Sequence, residues 1–265
     1  MSNPVKVAVL GLGERALQLA NGLKNAGADL IGFDSSKPKY SPIPVADTLA
    51  AAVAEADVVL SLNSSTASIR MAEIASSHLK PGAVFADLNT STPSLKRKLA
   101  EILPEGSFVD AALMGSVGEV TDLPIAVSGP GAAEFVTRLS GLGLKLDFVS
   151  DVPGEAAARK LVWNLLERGL ATLITDTLWA AKSMGMEDWA IEAIKAEFNA
   201  STEQTVQEYL NETGKNPKRG SVEMGDVAEM LAEFGYESTK VNGIALTLSH
   251  VMHGRRIPFA DLSEG

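Results

Sequence analysis

Seven short apolar runs punctuate the first 150 or so residues: Val5 to Leu10, Leu30 to Phe33, Val58 to Leu62, Val84 to Leu88, Phe108 to Ala111, Pro124 to Ser128 and Lys145 to Val149. Several are apolar on consecutive positions, not alternate ones, as expected for strands covered on both faces, and helical periodicity fills most of the gaps between them. The pattern predicts a parallel α/β sheet. After Ser150 the strand-like runs stop and helical periodicity continues to the end, so the expected boundary separates residues 1–151 from an all-helical domain, residues 152–265. Asp151 to Pro153 offers a helix start, and no proline interrupts the pattern from Gly154 to about Met184, which predicts one unusually long helix. Further helices are expected around Glu187 to Asn199, Thr202 to Leu210, Ser221 to Phe234 and Ser238 to His253, with Asn211 to Gly220 as a loop.

The first apolar run leads directly into Gly11-Leu12-Gly13-Glu14-Arg15-Ala16, the G-x-G-x-x-A form of a dinucleotide-binding turn. Such glycines allow a tight bend and close approach of backbone N–H groups to a pyrophosphate at a helix N-terminus. The context fits, because a strand precedes the turn, a helix with Leu17, Ala20 and Leu23 on one side follows it, and a second strand ends at Asp34. A Rossmann-type domain binding NAD(P) is expected. Asp34 stands where a carboxylate accepts from the adenosine ribose hydroxyls and repels a 2′-phosphate, which favours NAD. Ser35, Ser36 and Lys37 could recruit that phosphate, so NADP stays open.

Composition narrows the partners. The 265-residue chain is 46% hydrophobic with a formal net charge of −10, which argues against electrostatic nucleic-acid binding. Its one basic knot in this half, Lys96 to Lys98, follows Pro93 in a helical stretch and is expected to be a solvent face. With no cysteine and only His78, His250 and His253, thiol chemistry is excluded and no metal site is expected. Neither a signal peptide nor a membrane span is legible, so a cytoplasmic protein is expected.

One helical row is chemically unusual: Lys160 and Asn164 lie four apart in GEAAARKLVWN, with Ala156, Ala157 and Trp163 as neighbours. With GLGERA, with DLNTSTPS from Asp87 and with FVDAALMGS from Phe108, in that order, this stretch resembles the β-hydroxyacid dehydrogenases, the family of 3-hydroxyisobutyrate and 6-phosphogluconate dehydrogenases. A subgroup of uncharacterised members with a shorter helical domain looks most similar. The resemblance implies an NAD(P)-dependent oxidoreductase acting on a small anionic β-hydroxy acid or its keto form. It implies that Lys160 assists proton transfer at the substrate hydroxyl and that Asn164 orients the substrate. It places Asn63, Asn89 and Thr90 on the cofactor side and Ser91 with the substrate. Met114 stands where the family has a carboxylate-binding serine, Gly115 is retained and Ser116 replaces a second glycine, so those three are expected to line an altered anion pocket. Trp163 replaces an asparagine and is expected to narrow it.

Gly225 replaces the lysine of the family's C-terminal K-D pair, leaving Asp226, and Arg255 and Arg256 could supply an anion-binding group. The long helix, exceeding its own domain's needs, suggests a homodimer through the helical domain. Imine reduction and a non-catalytic nucleotide-binding sensor or scaffold remain rival readings. Tyr236 and Lys240 have the Y-x-x-x-K spacing of short-chain dehydrogenases, but they lie between helices deep in the second half, and the match is read as coincidence.

Overall fold

The computed structural model describes residues 4–36, 41–115 and 123–260. The chain divides into two compact units, Met1–Leu165 and Leu166–Gly265. The first is built on a seven-stranded sheet: β1 (Lys6–Leu10), β2 (Asp29–Phe33), β3 (Val58–Ser61), β4 (Val84–Asp87), β5 (Phe108–Leu113), β6 (Ile125–Ser128) and β7 (Leu146–Ser150), in the order β2-β1-β3-β4-β5-β6-β7. Every expected strand is present. β1 to β5 are mutually parallel, but β6 runs antiparallel to β5, and β7 runs parallel to β6. The expected Rossmann-type parallel sheet is thus present, with one antiparallel pairing between β5 and β6. Only residues 114–124 join β5 to β6, too few for the helical crossover that a parallel neighbour requires.

Helices α1 (Glu14–Asn25), α2 (Leu49–Val53), α3 (Ser65–Ser76), α4 (Pro93–Ile102) and α5 (Ala132–Leu139) cover the sheet. Strand side chains alternate between its faces. Val7 and Val9 join Leu19, Leu23, Leu60 and Phe135 in one core, while Ala8 and Leu10 join Val59, Phe85, Leu99 and Phe108 in the other. That double coverage explains the consecutive apolar residues.

The start of α4 is locally encoded. Thr92 caps it by accepting from Leu95 N–H at 3.3 Å, and Pro93 occupies its first turn. Helix α6 (Glu155–Ser183) is the long helix expected after Gly154. Gly154 itself is buried at φ +99°, and a Cβ there would meet the Pro93 carbonyl oxygen at 2.8 Å, so a glycine is needed where the start of α6 crosses α4.

The second unit continues α6 and adds α7 (Glu187–Ala200), α8 (Glu203–Lys215), α9 (Pro217–Glu233) and α10 (Thr239–Met252). The expected loop at 211–220 is nearly absent. α8 runs on to Lys215 and α9 starts at Pro217, because proline is tolerated in a first turn, and Glu212 accepts from both Asn216 and Arg219 across the junction. Among the described residues no helix is long and apolar enough to cross a membrane.

Replacing Gly154 by alanine is expected to lower the unfolding free energy by about 3 kcal/mol, from left-handed backbone strain plus the clash with Pro93. Urea unfolding should report a lower midpoint at unchanged slope.

Candidate active site

The glycine turn sits at the carboxyl end of β1. Gly11 has φ +89°, and a Cβ on it would lie 2.3 Å from the Leu62 carbonyl oxygen and 2.7 Å from Asn63 Oδ1, so only glycine fits and Asn63 is brought onto the turn. Gly13 caps α1 in an extended conformation, with nothing within 4 Å of a built Cβ. The backbone there can be approached closely, as a pyrophosphate requires. Leu12 and Ala16 are buried in the core, where they hold turn and helix against the sheet, whereas Glu14 and Arg15 are exposed in the first turn.

Asp34 is tied to this turn. Its Oδ2 accepts from Leu12 N–H at 2.7 Å, and its Oδ1 accepts from the N–H and hydroxyl of Ser36 at 2.8 and 2.7 Å. Burial works to raise its pKa, but the donors at Leu12 and Ser36 outweigh burial and hold the carboxyl below its ordinary range. Asp34 therefore carries its charge at the end of β2, where the ribose reading puts it. Ser35 is exposed beside it, and Lys37 lies outside the described residues.

A polar chain runs from the turn into the sheet. Asn63 Nδ2 donates to Ser61 Oγ at 3.1 Å, and Asn89 Nδ2 donates to the hydroxyls of Ser61 and Ser68 at 3.4 and 3.1 Å and to Asp87 Oδ1. Lys96 Nζ donates to the Asp87 carbonyl and carboxylate at 2.7 and 2.8 Å and lies 3.1 Å from Asp110 Oδ1, in ion-pair contact though outside hydrogen-bond geometry. Asp110 Oδ2 accepts from Ala157 N–H at 2.9 Å and from Ser128 Oγ at 3.3 Å, and Ser128 Oγ accepts from Ala156 N–H at 3.0 Å. Free amides in the first turn of α6 thus end on Asp110 and Ser128.

Lys96 is only 1% exposed, which overturns its reading as a solvent face; Arg97 and Lys98 are exposed as expected. The missed signal lay in VFAD and FVDAAL. An aspartate inside a buried strand needs a cation or several donors, and two such strands side by side call for a lysine.

One turn into α6, Lys160 is 8% exposed, and its Nζ donates to the Gly115 carbonyl at 3.4 Å. It lines a cavity of about 10 Å³, the size of one water, together with Asn89, Thr90, Ser91, Lys96 and Asp110. Ser91 Oγ is buried and has no hydrogen-bond partner. Of the expected substrate residues, Ser91 therefore meets Lys160, and Gly115 meets it through its carbonyl. Met114 instead packs among Ala112, Ala126 and Ala156. Ser116 lies outside the described residues. Trp163 is 42% exposed and is not among the residues lining the cavity, whose apolar wall is Leu88, Ala112 and Ala157. Asn164 is half-buried on the next turn.

Residues 6–141 match the model of the NAD binding domain of 6-phosphogluconate dehydrogenase. The chain belongs to this family. A conserved hypothetical protein from Sinorhizobium meliloti 1021 is similar at 30% identity over 94% of this chain and 88% of that one, with a TM-score of 0.59. A conserved protein of unknown function, whose structure is described as similar to 3-hydroxyacid dehydrogenases, shares 25% identity over 94% and 97% of the two chains, with a TM-score of 0.60. An imine reductase from Myxococcus stipitatus in complex with NADP+ has a TM-score of 0.80 over 95% and 96% of the chains, and at 15% identity this shows the fold alone. An uncharacterized 28.5 kDa protein from Methanothermus fervidus is 23% identical over 143 residues, so the chain spans about half the length of the curated relative it matches.

The NAD-binding domain of this 6-phosphogluconate dehydrogenase relative thus holds the glycine turn, Asp34, Asn63 and the Asn89 to Ser91 segment in one compact unit with Lys160. Gly11, open Gly13 and charged Asp34 fit a dinucleotide. In the second unit, Tyr236 donates to Asp176 Oδ1 at 2.6 Å, and Ser238 Oγ also donates to Asp176. The hydrogen bond to Asp176, then burial, pushes the Tyr236 phenol up to about 12, away from the lowered value that a catalytic tyrosinate needs. Asp226, Arg255 and Arg256 are exposed in that unit.

Asp34 has a folded pKa below its unfolded one, so its stabilising contribution is present above the unfolded aspartate range, near 3.9, and is lost as pH falls through the lower folded value. The difference in urea midpoint between the protein and Asp34→Asn should stay constant from pH 7 to about 5 and shrink below about 4.

Proposed function

We propose that the protein is an NAD(P)-dependent oxidoreductase that interconverts a small β-hydroxy acid and its keto form, with Lys160 moving the proton. One observation carries this reading: the amine of Lys160 and the unpartnered hydroxyl of Ser91 line a single cavity at the carboxyl end of β4, in the same unit as the glycine turn. Ligands of open α/β sheets lie at that end. The cavity suits one oxygen atom, such as the reacting hydroxyl or carbonyl oxygen, not a whole substrate.

A bound nicotinamide supplies or accepts hydride. This chain's residues do the rest. Gly11, Gly13 and the first turn of α1 hold the pyrophosphate, and Asp34 receives the ribose and tips the preference toward NAD. Lys160 takes the hydroxyl proton during oxidation or gives one to the carbonyl oxygen during reduction. Ser91 donates its free hydroxyl to that same oxygen or to a neighbouring carboxylate, and Asn164, one turn beyond Lys160, orients the remainder. Lys160 suits a carbonyl substrate better than an imine, since an ammonium stabilises a developing alkoxide but repels the cationic iminium form in which imines accept hydride.

A homodimer belongs to this reading. Leu161, Val162, Leu165, Leu166, Leu170 and Trp179 are exposed along α6, more large apolar surface than a solvent-facing helix carries. Sedimentation should give twice the chain mass at micromolar concentration; a single-chain mass would remove the dimer.

The reaction is tested by following reduced-nicotinamide absorbance with NAD and NADP across a panel of β-hydroxy acids. Lys160→Met should lower kcat/KM about 10³-fold while cofactor affinity stays within a few-fold. Tyr236→Phe should leave turnover within a few-fold and reduce thermal stability slightly, because it removes only the Asp176 hydrogen bond. Tight cofactor binding without turnover of any panel member would replace this reading with a nucleotide-binding sensor.

A further inference from the structure

Lys96 has no part in the reaction as written, yet it is the most deeply buried cation described and lines the cavity of Lys160. Its ammonium faces two carboxylates that are fully buried, Asp87 on β4 and Asp110 on β5. One ammonium group thus stands against two carboxyl groups. The carboxylate farther along the chain, Asp110, binds the first turn of α6, and Lys160 projects from the following turn. The trio therefore adjoins Lys160 in two ways: Lys96 and Asp110 line its cavity, and Asp110 anchors the helix that carries it.

We propose that Lys96 is a positioning residue for Lys160: it offsets Asp87 and Asp110, so that Asp110 can anchor the start of α6 without an excess of negative charge locking the Lys160 amine in its ammonium form. The significance for catalysis rests on the reading of Lys160 as the proton-transfer group. Among the described residues, three charged groups stand at the cavity of Lys160 or directly behind it. Lys96 comes from α4, Asp110 from β5, and Asp87 from β4 behind Lys96. On α6 itself, Glu155 accepts from Ser150 and Arg159 pairs with Asp147, both in exposed positions. Among the described residues, one cation and two carboxyl groups are therefore the buried charges beside the amine.

The test needs no substrate. Lysines are labelled with ¹³C at Cε, the Lys160 resonance is assigned with Lys160→Arg, and its titration midpoint is followed by NMR. Lys96→Met, which removes the positive charge at similar volume, should raise the midpoint by about one pH unit. Asp110→Asn, which removes a negative charge and retains the shape, should lower it by a similar amount and remains available should Lys96→Met fail to fold. Lys96→Arg should restore the midpoint to within a few tenths of a unit. A merely structural role would not move the two neutral variants in opposite directions, and a Lys160 midpoint unmoved in folded Asp110→Asn overturns the proposal. Opposite shifts in a protein that turns over no hydroxy acid would support the coupling and count against the proposed reaction alone.

Discussion

A single ammonium group enclosed by two carboxylates organises the working end of this sheet. Charges removed from water cost several kcal/mol each unless close partners replace the lost hydration. Lys96 reaches the carboxylate of Asp87 and that of Asp110 at once, and the remaining oxygens are met by Asn89, Ser128 and the amide of Ala157. Such a cluster adds little net stability compared with apolar packing, but losing one member would leave an uncompensated charge, so its geometry is strongly specified. It joins β4, β5, α4 and α6, the elements that flank Asn89, Ser91 and Gly115 and carry Lys160.

Function is built onto this cluster from both ends. Toward the glycine turn, Asn89 and Asn63 both donate to Ser61, and Asn63 lies against Gly11, where a dinucleotide fits. Toward the helical half, Asp110 and Ser128 occupy the amides of Ala156 and Ala157, which sets the entry of α6. An apolar substitute for the cluster could fill the space, but it would not orient the Asn89 carboxamide or satisfy the α6 amides. Met114, where the family resemblance predicts a serine, is accommodated by packing: its side chain fills a small alanine-lined space. The anion-binding role of the serine it replaces would fall to other donors, of which Ser91 is the buried and unsatisfied one.

Seven strands, their order along the chain, the glycine turn and a helix of 29 residues could be read from the amino acids alone, because each depends on local periodicity or on glycine's backbone freedom. Lys160 and Asn164 were also legible as a spacing of four within one helix, and Gly154 through the family resemblance. What only the tertiary structure decided depends on residues far apart in sequence. Lys96 became buried because Asp110, fourteen residues on and on a neighbouring strand, faces it, and Asp110 in turn meets an amide 47 positions later. β6 reversed because a short connection could not carry the chain back across the sheet. Lys160 is turned into the cavity while Trp163, three residues on along α6, lies half-exposed outside its lining.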